Sequence, residues 1–76
     1  MEDNMRTQNF YWISVEHELP EKSDFYLVTV KNEETQKVHT EQDLFIIQND
    51  GKKIWCKDGY YYKVIAWAKI PEPYRG

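Results

Sequence analysis

Glu16-His17-Glu18 is the first group of side chains whose types could do chemistry, because carboxylates and imidazole bind metal ions. Adjacent residues on a strand or a single turn diverge, however, so these three side chains cannot converge on one ion. His39 lies far along the chain in a polar stretch, and no second cluster completes a ligand set. We therefore expect an ordinary acidic turn, with no metal and no cofactor.

Cys56 is the only cysteine, which excludes an internal disulfide and offers one thiol as a possible nucleophile. A catalytic thiol also needs a base and an oxyanion site, and neither is in evidence around it. A buried structural thiol is the better interpretation. The chain has no paired carboxylates in an apolar surround and no glycine-rich phosphate loop. We expect that the protein is not an enzyme.

The best site-like feature is a set of lysines interleaved with aromatic residues in the C-terminal half. Aromatic rings on a sheet face flanked by lysines stack single-stranded bases in some domains. The competing interpretation is that the rings form the core and the lysines cover their rims. The candidate interaction surface comprises Lys53, Trp55, Lys57, Tyr60, Tyr61, Lys63 and Tyr74.

The charge balance weakens the nucleic-acid interpretation without removing it. The formal net charge is −3, with acids concentrated in the N-terminal half and bases in the C-terminal half. Overall acidity opposes tight non-specific binding to nucleic acid. No apolar segment reaches membrane-spanning length, and Met1-Glu2-Asp3-Asn4 is not the basic start of a signal peptide. We expect a cytoplasmic protein with no membrane association.

These side chains must be positioned by strands, and the run from Tyr60 to Ile70 is the strongest of them. Its β-branched and aromatic residues suit a pleated strand, and Pro71 closes it. Period-two alternation sets Val64 on one face and Trp67 on the other, so both faces are apolar. A strand that is apolar on both faces belongs inside a sheet. We therefore predict the central strand here.

The other strands are predicted over 25–30 and 38–47, separated by a polar turn over 31–37; a helix over 33–43 is the competing prediction. Asp50-Gly51 and Asp58-Gly59 lie between apolar runs and signal two-residue hairpin turns. Such turns would pair Ile46 with Trp55 and then Trp55 with Tyr62. The lysines and rings of residues 52–69 would then share one hairpin.

The N-terminal part is predicted to begin with a flexible leader over residues 1–9, followed by a single β-rich domain over 10–76. Ser14 is a candidate N-cap for a short helical turn that ends before Pro20. The aromatic segment from Phe10 to Val15 would cover one sheet face. The expected fold is mainly β, small α+β at most: an antiparallel meander of three to four strands with that segment and the helical turn packed on one face.

Several short motifs resemble, in order along the chain, a small family catalogued as domain of unknown function 551. They are Trp12-Ile13-Ser14-Val15, Leu19-Pro20, Tyr26-Leu27-Val28, Trp55, Ile65-Ala66-Trp67 and Ile70-Pro71-Glu72-Pro73. The family occurs largely in phages, prophages and their bacterial hosts. The resemblance implies a phage-associated or mobile-element-associated bacterial protein and supplies no activity.

The sequence as a whole favours a small non-enzymatic interaction module that binds another protein or forms a homodimer. An apolar second sheet face and a thin stability margin motivate this interpretation. Single-stranded nucleic-acid binding through the lysine and aromatic hairpin over 52–69 is the alternative.

Overall fold

A computed structural model describes residues 11–74, and residues 1–10 and 75–76 lie outside that range. The described chain forms one five-stranded sheet in the order β1-β5-β2-β3-β4, in which every neighbouring pair is antiparallel. The strands are β1 Ile13–Ser14, β2 Asp24–Asn32, β3 Val38–Ile47, β4 Lys53–Trp55 and β5 Tyr62–Ala68. The prediction of a mainly β fold is confirmed. The predicted leader over residues 1–9 lies outside the described residues.

The segment after β1 makes a hydrogen-bonded turn in place of the predicted short helix. Ser14 Oγ accepts a hydrogen bond from the Glu16 backbone N–H at 3.2 Å, and Ser14 O accepts from the N–H groups of His17 and Glu18. Ser14 therefore caps a turn, as its residue type predicts, but no helix follows within residues 11–74. Pro20, which is fully buried, ends the segment against the core.

β2 and β3 form the hairpin that the sequence predicts. Asn32 Oδ1 accepts hydrogen bonds from the N–H groups of Glu34 and Thr35, and Gln36 adopts a positive φ of 68°. This polar turn joins strands that pair from Asp24 with Phe45 to Lys31 with Val38. β3 has the predicted bounds, and the competing helix over 33–43 does not form.

The Asp50-Gly51 turn forms, but its loop is one residue longer than predicted. Gly51 N–H donates to Gln48 O at 2.8 Å, and Gly51 adopts a φ of 87°. A turn followed by a left-handed residue is the usual three-residue hairpin loop. The extra residue shifts the register, so Trp55 pairs with Phe45 rather than with Ile46 as predicted.

The predicted hairpin between β4 and β5 is wrong. The Asp58-Gly59 turn exists, since Asp58 N–H donates to Trp55 O and Gly59 N–H donates to Tyr62 O. The chain nevertheless crosses the sheet and places β5 beside β2, on the far side from β3. Two of the hydrogen bonds of this crossing connection, residues 56–61, are accepted by carboxylates: the Lys57 N–H donates to Asp43 and the Val64 N–H donates to Asp58. The sheet is therefore not a simple meander.

β5 contains a bulge that overrides its period-two pattern. Thr29 pairs with Ala66 whereas the next residue, Val30, pairs with Val64, so Ile65 is the extra residue. An extra residue on one strand reverses the alternation beyond it. Val64 and Trp67 consequently share a face, contrary to the prediction that they lie on opposite faces.

The core lies on one face of the sheet, which we call the core face. Tyr26 packs edge-on against two tryptophans, with ring centroids 5.2 Å from Trp67 and 6.0 Å from Trp55. Partly buried residues of the N-terminal segment, among them Leu19, pack against this cluster. Its buried members are Tyr26, Val28, Val30, Phe45, Trp55, Val64 and Trp67. The predicted aromatic cover is therefore supplied by the aliphatic residues of that segment, because Tyr11 and Trp12 remain exposed and Phe10 lies outside the described residues.

The glycine of the first Asp-Gly turn tests the backbone conformation of that turn. Gly51→Ala should destabilise the protein by about 1–2 kcal/mol, because a Cβ strains the left-handed backbone although no atom lies within 4 Å of it. Gly59→Ala is the matched control: it has no positive φ, and the added Cβ would meet only Lys57 O at 3.9 Å. Urea unfolding should give an unchanged or slightly higher stability for the control. Equal losses would contradict the assigned turn.

The two buried tryptophans differ in one hydrogen bond, which provides a second test. Trp67 Nε1 donates to Glu18 O at 2.9 Å, whereas Trp55 Nε1 is buried with no hydrogen-bond partner among the described residues. Trp67→Phe should therefore cost about 1 kcal/mol more than Trp55→Phe in urea unfolding. A larger loss from Trp55→Phe would be inconsistent with this arrangement.

Candidate interaction surfaces

The lysines of the predicted hairpin over 52–69 are dispersed by the sheet. Antiparallel partners share a face, so Lys53, paired with Ile47, lies on the core-face side, and Lys63, paired with Lys31, lies on the opposite face. β2 and β3 also separate the two strands that carry them. Trp55 is 5% exposed and belongs to the core rather than to the predicted surface. The combined lysine and aromatic surface does not form.

The three tyrosines of the predicted surface are exposed in the structure. Tyr60 and Tyr61 lie in the connection between β4 and β5, with ring centroids 4.8 Å apart in an edge-on arrangement. Tyr60 is 87% exposed and Tyr74, near the end of the described chain, is 94% exposed. These rings are accessible to a partner, and their role in an interaction remains a prediction.

Lys57 is occupied by contacts within the chain. Its Nζ lies 3.3 Å from Glu41 Oε2 and 4.9 Å from the centroid of the Tyr62 ring. Its backbone N–H donates to Asp43 Oδ2 at 2.8 Å. Both carboxylates project from β3 on the core face, where Glu41 lies between Val28 and the crossing connection. Lys57 thus anchors the connection and is not a free cation for a phosphate.

Neither Glu16-His17-Glu18 nor Cys56, the candidates for metal binding and for a nucleophile, forms part of a site among residues 11–74. Residues 16–18 are all exposed, and no group of three His, Cys, Asp or Glu side chains within residues 11–74 could hold a metal ion. Cys56 is exposed, so the expectation of a buried thiol is wrong. Its backbone N–H donates to Leu44 O, which ends the β3–β4 ladder and leaves its side chain in solvent.

A shallow groove of about 500 Å³ lies between the N-terminal segment and the end of β5, with Tyr26 and Trp67 among its lining residues. Burial, together with the nearby carboxylate of Asp24, raises the pKa of Tyr26 above its ordinary value. The protonated hydroxyl donates to Lys22 O at 3.0 Å. The titratable hydroxyl of Tyr26 in this groove is therefore held in a structural hydrogen bond and is not placed for proton transfer.

The face opposite the core, which we call the outer face, is the largest feature not used by the fold. It was expected to be apolar, and the register places an apolar patch on it: Phe25, Leu27, Leu44, Ile46, Ile54, Ala66 and Ala68. Phe25 is 50% exposed and five of the others are half-buried, whereas Ala68 is only 3% exposed and is therefore covered. Both connections that cover the sheet, residues 15–22 and 56–61, make their side-chain contacts on the core face. Within residues 11–74, neither of these connections covers the apolar patch.

The rest of the outer face carries no acid in the described strands and is mostly polar, although Val38 also lies on it and is 56% exposed. Its ionised residues are Lys31 and Lys63, which pair directly across the β2–β5 ladder. The acids of these strands, Asp24, Glu41 and Asp43, lie on the other side. Although the protein has a net charge of −3, the described strands place only positive charges, those of Lys31 and Lys63, on the outer face.

Comparison with known proteins finds one family. A family model described as "Protein of unknown function (DUF551)" matches residues 11–74, nearly the whole chain. No curated protein and no solved structure matches. Among the described residues, no helix has the length and apolarity needed to cross a membrane.

Substitution of Asp43 tests whether the crossing connection is anchored as described. Asp43→Ala should destabilise the protein by about 1–2 kcal/mol, because the Lys57 backbone N–H loses its acceptor. Asp43→Asn retains an oxygen acceptor and should recover most of this loss in the same urea unfolding experiment. Equal stabilities of the two variants would show that the hydrogen bond contributes nothing.

Proposed function

This chain belongs to the DUF551 family, and we propose that it is a non-enzymatic protein-binding module that uses the outer face of its sheet. The observation that carries the proposal is the apolar patch that the connections leave uncovered, with Phe25 half exposed near its edge. Burial of such a patch contributes about 25 cal/mol per Å² of apolar surface. Contiguous exposed apolar patches are typical of interaction sites.

The charge of the outer face supports a specific kind of partner. Lys31 and Lys63 face each other across the ladder, and like charges directly opposite are destabilising. A carboxylate placed between the two ammonium groups would relieve this repulsion and add charge-assisted hydrogen bonds. The proposed partner is therefore a protein that presents an apolar surface with at least one acidic side chain on its rim.

The nucleic-acid alternative has lost its geometric basis, because the hairpin over 52–69 does not form and Lys57 is engaged by Glu41. Two basic residues on one face are few for a backbone that carries one charge per nucleotide. Protein binding accounts better for an apolar patch. We retain two further parts of the proposal: a cytoplasmic setting, supported by the single cysteine, and a phage or mobile-element association, supported by the family resemblance.

Affinity capture with matched variants tests the proposal. The wild-type chain, Phe25→Glu and Tyr60→Glu would be immobilised and exposed to a lysate of the bacterium that carries the gene. Phe25 lies in the apolar patch, whereas Tyr60 is an exposed position on the crossing connection, outside the patch. One protein, identified by mass spectrometry, should be retained by the wild type and by Tyr60→Glu and lost with Phe25→Glu.

The captured protein must then bind directly in purified form. Phe25→Glu should weaken its affinity by at least about tenfold, and Lys31→Glu should weaken it less and remove part of its salt dependence. Equal retention by Phe25→Glu, retention of no protein, or tighter binding of a labelled single-stranded oligonucleotide than of any protein would overturn the proposal.

A further inference from the structure

Half of β3 has an open edge. On the side away from β2, β4 pairs only with Phe45, Ile46 and Ile47, and Cys56 extends this ladder by one residue to Leu44. No other described strand lies beside residues 38–43 on that side. An unpaired edge of this kind is a template for another strand.

The backbone groups that point out of this edge can be identified from one hydrogen bond. Cys56 N–H donates to Leu44 O, so the even-numbered residues of β3 direct their N–H and C=O groups away from β2. By alternation, Val38, Thr40 and Gln42 present their N–H and C=O groups to solvent. None of these groups has a hydrogen-bond partner outside the sheet within residues 11–74.

The open edge also lacks several of the usual protections against pairing. Edge strands are commonly guarded by charged side chains, above all lysine, by inward-pointing charges, by prolines or by bulges. Residues 38–43 carry two inward-pointing acids, Glu41 and Asp43, but Lys57 contacts both of them. β4 has Lys53 in its edge and lysines just before and after it, whereas residues 38–43 contain neither lysine nor proline. β3 is also regular through this stretch, since its pairing with β2 has no bulge. The edge is therefore flat and competent to pair.

We propose that a second copy of this chain pairs with this edge, antiparallel, with Thr40 on the two-fold axis. Thr40 then faces Thr40 of the second copy, and Val38 faces Gln42. The two-fold axis makes three pairs: Thr40 with Thr40, Val38 with Gln42, and Gln42 with Val38. Each pair brings together outward-pointing N–H and C=O groups and can exchange two backbone hydrogen bonds, which gives six in all. The sheet would continue through both copies as ten strands.

Charge complementarity selects this register. The odd residues project on the core face, and with Thr40 on the axis His39 lies opposite Glu41 of the second copy and Lys37 lies opposite Asp43. An axis one residue away sets either His39 against His39 or Glu41 against Glu41. An axis two residues away sets Lys37 against His39 or Glu41 against Asp43. Only the Thr40 axis sets both basic side chains, Lys37 and His39, opposite carboxylates of the second copy. Within its own chain, Glu41 Oε2 already lies 3.6 Å from His39 Nε2 and 3.3 Å from Lys57 Nζ.

The paired edge is short, about 17 Å for five residues, so the dimer is a weak one that forms with increasing concentration. It does not depend on the proposed function, because Phe25 and its apolar neighbours take no part in the pairing. A dimer would nevertheless present two outer faces on one continuous sheet, which gives a multivalent partner two sites.

Sedimentation of the full chain, from about 10 µM to about 500 µM, tests the dimer with two substitutions at one exposed position. His39→Lys keeps an attractive partner for Glu41 and should retain the dimer. His39→Glu opposes two carboxylates twice in the interface and should weaken it by about tenfold or more. A monomer throughout, or equal association of the two variants, would overturn the proposal.

Cross-linking tests the register in the same full chain with Cys56→Ser. Residues paired at the axis have Cα atoms about 5.5 Å apart, within disulfide reach, whereas the two Gln42 residues lie about 14 Å apart. With oxidised glutathione, Thr40→Cys should therefore form a covalent dimer at least about tenfold faster than Gln42→Cys, because only the former brings the two Cα atoms within the range of a disulfide. Equal rates, or faster linkage of Gln42→Cys, would overturn the register. Neither experiment uses Phe25, so its outcome is separate from that of the outer-face test.

Discussion

The pairing of β5 with β2 is the constraint on which the rest of this structure depends. It sets Trp67 opposite Val28 and Val64 opposite Val30, so that the most buried residues of two strands meet on one face. β5 reaches this position only because the chain crosses the sheet after β4. The crossing connection covers one end of the core face, and the segment from Val15 to Lys22 covers the other.

The described segments of this 76-residue chain cover only one face of the five-stranded sheet. Stable domains normally bury a sheet face against a second layer of secondary structure. Here irregular segments supply that layer on the core face alone, and two side-chain acceptors, Asp43 and Asp58, hold the crossing segment by accepting backbone N–H groups. Most apolar residues of the outer face are only partly buried. This asymmetry between the faces, rather than any cluster of reactive groups, is the basis of the proposed binding role.

The sequence predicts the strands and turns well because their signals are local. Asp-Gly pairs, alternating apolar residues and the polar stretch near Asn32 act within a few residues, and they locate β2, β3 and both turns. The choice of partner for β5 is not local. Pairing with β2 or with β4 satisfies the same alternation, and the deciding contacts, such as Glu18 O with Trp67 Nε1, join residues far apart in the chain. The bulge at Ile65 and the extra loop residue at Gly51 then reverse the face of several side chains, since one residue inverts a period of two. For these reasons the sequence pattern predicts Trp55 on a surface and Cys56 in the core, whereas the structure buries Trp55 and exposes Cys56.

A nuclear Overhauser spectrum of the free protein tests the central topology most directly. Val28 and Trp67 form a closely spaced pair, with Cα atoms about 4.5 Å apart in such ladders, so their Hα protons should give a strong cross-peak. Tyr62 should give backbone contacts to Asn32 and none to Trp55. A strong backbone contact between Trp55 and Tyr62, without one between Val28 and Trp67, would restore the simple meander and contradict the division of the sheet into a core face and an open outer face.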